Sequence, residues 1–408
     1  METLGLPGLN VVRRSALELL PVELIVIIAM MLDLVDFQNL RLSSKSIAQT
    51  VRRLLALEEF VGLPFRPDAQ RLADLSREPL LASRIRSVNF SFARMNHDSV
   101  KTRKIYQWGP DDARTRRLSR LWKYYLATQV SSADNPHVDI GILSTAFRRL
   151  VNLDTICLSW SQCPWKDEEI RKWFDDEASV MVARDEPLNV QSAILGLLTK
   201  HKMPLKSLTI DPLKYQGQLL PSIHDPQCHI SFGSITQLRL GLVVEGRDQK
   251  KLEEFIMLMP LLRELRLHSF LGRWIPPDHR LLPNAPLKFL EHIDLAHISL
   301  DLDDLDSFLE SRSTLKHVSL KSMQGEGFSK LSWEQFFKSM SQRRSLDRVN
   351  ICGNFFKLDE QQQAKFTTIS DRLNPRRDLS FRVNGAKLEK YILEGGECPP
   401  ITWAQYRR

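Results

Sequence analysis

Residues Ile235 to Leu267 read ITQLRLGLVVEGRDQKKLEEFIMLMPLLRELRL. Both ends carry one six-residue figure, apolar-x-x-apolar-x-apolar, as Ile235-Leu238-Leu240 and Leu262-Leu265-Leu267. Between them Leu252, Phe255, Ile256 and Met259 fall at i, i+3, i+4 and i+7, the stripe of a helix with one buried face. In the second figure Leu265 and Leu267 point one way while Glu264, Arg266 and His268 point the other, as the period of a strand requires. A strand and a helix thus fill a period of 27 residues before the next strand begins.

Working outward, the figure recurs at Ile85-Val88-Phe90, Leu153-Ile156-Leu158, Leu205-Leu208-Ile210, Leu290-Ile293-Leu295, Leu315-Val318-Leu320 and Leu346-Val349-Ile351. From Leu205 the starts are 30, 27, 28, 25 and 31 residues apart, close to the period of long leucine-rich repeats. The earlier gaps of 52 and 68 residues imply insertions or degraded copies. Further helical patterns precede strands at Gln191–His201, Leu302–Glu310 and Trp333–Met340. Parallel neighbours need a crossover of roughly a dozen residues or more, so the pattern predicts an α/β fold. The expected form is a curved leucine-rich-repeat solenoid over 146–358, with a parallel sheet on the concave side and helices on the convex side.

The 408 residues hold 57 Lys plus Arg against 49 Asp plus Glu, with 43% hydrophobic residues, so fibrous and disordered classes are excluded. Eight basic and two acidic residues between Lys101 and Lys123 account for six of the net eight positive charges. The basic excess is local, and no nucleic-acid partner is expected. Arg116-Arg117-Leu118-Ser119 has the form of a basophilic kinase site, though the pattern is short. The longest strongly apolar run, Leu24 to Leu32, is far short of the roughly 20 residues of a membrane span, and no membrane partner is expected. Five Cys without a CxxC pair point to a reducing interior, cytoplasm or nucleus. Cys157 with Cys163, and Cys228 beside His229, do not make four ligands at zinc-like spacing, so no metal or other cofactor is expected. No Walker A loop, GxSxG elbow or HExxH occurs, and Gly325-Glu326-Gly327 lacks a third glycine, so an enzyme is not expected.

The predicted order is a flexible N-terminus over 1–14, a helical module over 15–60, and a linker with a first degenerate repeat over 61–145 that holds the basic insertion 101–123. The solenoid follows, then a C-terminal cap and tail over 359–408, in which Leu379–Val383 can add a strand. In the helical module, Pro21 suits the first turn of a helix running through Leu32. Asp36 can cap a second helix, and Ser43 or Ser44 a third toward Leu57. Three helices of this size cannot supply a self-sufficient core. Their surplus apolar surface calls for a second chain or for docking on the repeats.

Leu20-Pro21, Glu23-Leu24, Ile27 or Ile28, Leu32, Asp36 and Leu40-Arg41-Leu42-Ser43-Ser44-Lys45 resemble an F-box, the module by which substrate adaptors of Skp1-cullin-F-box ubiquitin ligases hold Skp1. The resemblance covers about a tenth of the chain, and the repeats behind it resemble those of many fungal F-box proteins. It implies an adaptor that binds Skp1 through Leu20, Pro21, Leu24, Ile25, Ile28, Leu32, Leu40 and Leu42, cullin through Skp1, and a target protein through the repeats. Ser43, Ser44 and Ile47 depart from the family pattern, each removing apolar contact area. A leucine-rich-repeat scaffold without a ubiquitin role is the competing expectation.

Alignment of the strands predicts two polar rows on the sheet: Thr209, Arg239, Arg266, Asp294, Ser319 and Asn350, and beside it Ser207, Gln237, Glu264, His292, His317 and Arg348. Arg239 and Arg266 repel unless an acidic or phosphorylated ligand, or Glu264 and Asp294, compensates. Arg239, Arg266, His292, Asp294, His317 and Arg348 are the candidate target-binding residues.

Overall fold

The computed structural model describes residues 16–32, 34–51, 58–65, 68–92, 138–161, 186–214, 220–221, 224–243, 249–269, 287–325, 331–343, 345–357, 379–382, 385–399 and 404–405. Residues 1–14, the basic stretch 101–123 with Ser119, and Cys163 lie outside these. The chain divides into two compact units, Met1–Glu58 and Glu59–Arg408.

The first unit has a 3-10 turn at Ala16–Leu19 and helices α1 (Val22–Met31), α2 (Leu34–Ser43) and α3 (Lys45–Thr50). Pro21 stands at the N-cap of α1, one place earlier than expected. Its carbonyl accepts from the amides of Leu24 at 3.0 Å and Ile25 at 3.2 Å, closing the first turn. Asp36 does not cap α2. That helix starts at Leu34, and Asp36 sits within its first turn, where a negative charge still opposes the helix dipole. Ser44 caps α3 by accepting from the Ser46 amide at 3.1 Å. Ile25 and Ala29 of α1 meet Ile47 and Val51 in a small core, with Leu17, Leu20, Leu32 and Leu40 packed partly against it.

In the second unit nine described strands form one sheet. They are β1 (Glu59–Gly62), β2 (Ser87–Ser91), β3 (Thr155–Ser159), β4 (Ser207–Lys214), β5 (Gln237–Val243), β6 (Glu264–Ser269), β7 (His292–Ala296), β9 (His317–Lys321) and β11 (Arg348–Cys352). Each lies parallel to the one before it in that order. All eight sequence figures lie in this sheet. The long gaps are insertions, since β2 pairs directly with β3 and β3 with β4. One strand escaped the sequence pattern: β1 begins inside the module expected to run to residue 60, and Phe60 is its single buried residue.

Apolar residues of the figure, such as Leu208, Ile210, Leu265, Leu267, Val318 and Leu320, are buried on one face. The described helices α4 (Asp68–Arg77), α5 (Pro79–Ala82), α6 (Ile140–Phe147), α7 (Glu186–His201), α8 (Pro226–Phe232), α9 (Gln249–Met257), α10 (Leu302–Glu310), α11 (Trp333–Ser341) and α12 (Gly385–Glu394) supply the other half of that core. Leu252, Phe255, Ile256 and Met259, the stripe read from sequence, are buried. Helix starts are set locally: Asp139, Asp225 and Asp301 each accept from a first-turn amide, and Ser332 with Gln335 forms a capping box. Side chains tie consecutive helices together. Ser144 bonds His201 at 2.8 Å, the Ser231 hydroxyl donates to the Leu198 carbonyl at 3.1 Å, and Arg343 donates to Asp306 at 2.6 Å.

After β7, β9 and β11 the chain turns through His297, Ser322 and Gly353, each with positive φ and each five residues past its strand's start. The turns lead into β8 (Ser299–Leu300), β10 (Gln324–Gly325) and β12 (Asn354–Lys357), which pair in parallel. β13 (Leu379–Arg382) and β14 (Ala404–Gln405) extend this second sheet antiparallel. The strand expected at Leu379–Val383 forms over Leu379–Arg382, with Val383 outside the described residues, and it belongs to this second sheet.

Both edges of the large sheet are covered. At β1, Arg71 donates to the Val61 carbonyl at 2.6 Å and Asp68 accepts from the Leu63 amide at 2.9 Å. At β11, Glu389 accepts from the Ile351 amide at 3.0 Å. Side chains of α4 and α12 thus occupy backbone groups that another chain could otherwise pair with.

Candidate functional site

Two surfaces, one in each unit, carry the residues that the sequence singles out. In the first unit, the eight apolar residues expected to contact a partner divide by helical geometry. Ile25 is 4% exposed and belongs to the unit's own core, and Leu20, Leu32 and Leu40 pack partly against that core. Ile28 is half-buried, while Pro21 is exposed, Leu24 is 45% exposed and Leu42 is 85% exposed. Leu19, Val22, Ile27 and Met31, the last 81% exposed, join the outer surface although they were not in the expected contact set. The spacing offers two stripes without choosing between them: Leu24, Ile27 and Met31 fall at i, i+3, i+7, while Ile25, Ala29 and Leu32 trace the neighbouring one. An all-apolar helix conceals which stripe faces inward until Ile47 and Val51 of the third helix region are placed. Ile47 is wholly committed to the core, and Ser44 to capping α3.

In the second unit both predicted polar rows form in register. Arg239 opposes Arg266, which opposes Asp294, Ser319 and Asn350 in turn, and Glu264 opposes His292, His317 and Arg348. Arg266, His292, Asp294, His317 and Arg348 line a cavity of about 480 Å³ together with Glu264, Ser319 and Asn350. Arg239 is the one predicted residue outside the cavity lining, one strand away on β5. A third row, with His268 and Lys321, continues the same face toward the strand ends, as the period-2 alternation implies.

Two side-chain contacts organise the cavity. The Arg266 guanidinium donates to Glu264, so a neighbouring acid, one of the two compensations open from sequence, answers the arginine repulsion at this position. The Nδ1 atoms of His292 and His317 lie 2.7 Å apart, with ring centroids 4.7 Å apart. Burial lowers the pKa of His317 below its ordinary value; His292 and Arg348 lower it further, and Asp347 opposes them.

Near the strand ends, a bulge between Ile210 and Leu213 carries Asp211, which is wholly buried. Asp211 accepts from the Ser161 hydroxyl, and His268 Nε2 lies 3.2 Å from its other oxygen. The serine is bonded to a carboxylate instead of an imidazole, which differs from the nucleophile–base pairing of hydrolytic triads. Burial, with Asp211 reinforcing it and Arg239 opposing, pushes the Cys157 thiol up to about 12. A protonated, half-buried thiol is a poor nucleophile and a poor metal ligand. Among the described residues, no three His, Cys, Asp or Glu side chains are placed to share a metal ion, and no helix is long and apolar enough to cross a membrane.

No protein-family model matches the chain, and no curated protein is significantly similar to it.

Proposed function

We propose that the chain is a substrate-recognition adaptor of a Skp1-cullin-F-box ubiquitin ligase, non-enzymatic and intracellular, whose N-terminal helices hold Skp1 and whose leucine-rich-repeat-like sheet face holds a target protein. The observation that carries this reading is the exposed apolar surface of Leu19, Val22, Leu24, Ile27, Met31 and Leu42 on a unit with four buried apolar core residues among those described. Exposed apolar side chains in that number beside so small a described core support a surface that a partner covers. Burying one such side chain fully is worth about 1.5–3 kcal/mol, so a few suffice for a specific complex. The strands following one another in chain order support the repeat reading, and the polar sheet face supplies a second, separate surface. The mechanism is proximity: a target held beside ubiquitin-charged enzyme reacts at raised effective concentration, without a catalytic group from the adaptor.

Co-purification of the full chain with Skp1 tests the proposal. Wild type should capture Skp1, and Leu24→Asp with Ile27→Asp should abolish capture while circular dichroism stays unchanged, because both side chains lie on the outer stripe of α1 and reach solvent. Failure of wild type to capture Skp1, or capture that survives the double substitution, would defeat the adaptor reading. Ile25→Asp is the contrasting control and should unfold α1 by placing a charge in the core.

A further inference from the structure

We infer that the His292–His317 pair makes the polar sheet face a proton-gated receptor for an acidic protein segment: closed on itself when the pair is neutral, and opened by protonation to receive carboxylates. The inference deepens the proposed target-binding role of this face and rests on that role, not on Skp1 capture.

Two imidazoles meeting Nδ1 to Nδ1 at 2.7 Å need one donor and one acceptor between them. That contact holds when both rings are neutral, and also when one carries an added proton. It fails when both are charged, because two donors and two like charges then face each other. The groups around the pair set its preference. On β6, Glu264 is engaged by Arg266, so its charge is largely answered. Asp294 lies on β7 itself, and Arg348 on β11 adds a positive charge beside His317, with Asp347 opposing it. Lys321 follows on β9 in the third row, facing the same side. Across β5 to β11 this face carries Arg239, Arg266, Lys321 and Arg348 against Glu264 and Asp294, a positive balance before any imidazole is protonated.

Without a ligand, then, the two imidazoles are bonded to each other and Arg266 to Glu264, and the positive balance of the face resists a further proton. A segment rich in carboxylates supplies the missing acceptors and the missing negative charge. It favours the doubly protonated pair, frees both Nδ1–H groups to donate, and competes with Glu264 for Arg266. By reciprocity, a ligand that raises the proton affinity of the pair binds more tightly as the pH falls. Burial and the neighbouring charges already hold His317 below its ordinary value, and a carboxylate-rich ligand acts in the opposite direction.

The probe is dye-labelled hexaglutamate, read by fluorescence anisotropy on the full-length protein. Each proton taken up on binding tightens affinity by at most about tenfold per pH unit. Wild type should therefore bind on the order of tenfold more tightly at about pH 5.5 than at about pH 8, and His292→Gln with His317→Gln should bring this ratio to about twofold or less. Absence of binding at every pH overturns the acidic occupant. A wild-type affinity that ignores pH, or a pH response that persists in the double variant, overturns the gate. Should the double variant fail to fold, NMR titration of the two imidazoles in wild type decides: hexaglutamate must raise their pKa values, and unchanged values overturn the inference. Skp1 capture by the same preparation separates the two proposals. Lost pH response with Skp1 capture intact sinks the gate alone, and lost capture with the pH response intact sinks the adaptor reading alone.

Discussion

Gly353 shows how one residue can serve the joining of two sheets. It follows β11 with φ of +87°, in the left-handed region that side chains disfavour, and a Cβ there would overlap the Ser322 hydroxyl. His297 and Ser322 adopt similar backbone angles in the two preceding units, so the turn recurs whether or not a glycine supplies it. We expect Gly353→Ala to destabilise the protein by about 1–2 kcal/mol or more, from backbone strain plus displacement of Ser322. A urea unfolding midpoint equal to wild type would show that the turn has slack. Residue identity also explains what the sequence left open in the first unit. Ser44 reads as a cap and is one, whereas Asp36 reads as a cap yet falls inside α2, because Leu34 already begins the helix. Similarly, two arginines in adjacent rows demand compensation, and only the placed side chains reveal that Glu264 takes Arg266.

At the scale of elements, the ends of the large sheet show where local pattern stops being informative. A strand's last neighbour is chosen by tertiary contact, and here α12 lies against β11 so closely that Gly385 could not carry a Cβ without striking the Ile351 carbonyl. Glu389 then accepts from the Ile351 amide at 3.0 Å. Glu389→Ala should cost about 1 kcal/mol and expose that amide to exchange, while Glu389→Gln, which keeps an acceptor, should cost less. Thermal melts together with amide exchange at Ile351 would check both; equal melting temperatures across the three proteins would show that water replaces the carboxylate without loss. The two stripes of α1 make the same point. Ile25, Ala29 and Leu32 turn inward and Leu24, Ile27 and Met31 outward, a choice invisible in a helix apolar on all sides.

For the whole molecule, the contrast between the two units in buried apolar content sets the expected order of unfolding. Among the described residues the first unit rests on Ile25, Ala29, Ile47 and Val51, while the second buries row after row of aliphatic side chains between sheet and helices. Small cores protect their amides poorly. In hydrogen exchange on the full chain without partners, amides of α1 and α3 should exchange on the order of a hundredfold faster than those of β5 and β6. Equal protection in the two units would contradict the view that the N-terminal helices form an incomplete core. The same contrast explains which parts were legible in advance. The eight strand figures were readable because each is an alternation within six residues, and α7, α9, α10 and α11 because their stripes lie within about ten; α4, α5, α6, α8 and α12 were not read. β1 was not, since Phe60 alone marks it.

By itself the sequence determined the alternation of strand and helix, the parallel order of eight strands, the facing of the leucines inward, and the two polar rows, because periods of 2 and 3.6 residues dictate which side chains share a face. Tertiary structure alone decided the ninth strand, the second sheet, the covered edges, the exposed stripe of α1 and the meeting of His292 with His317. Each of those depends on the approach of segments distant in the chain, and no spacing within one segment encodes how closely, or by which atoms, two such segments touch.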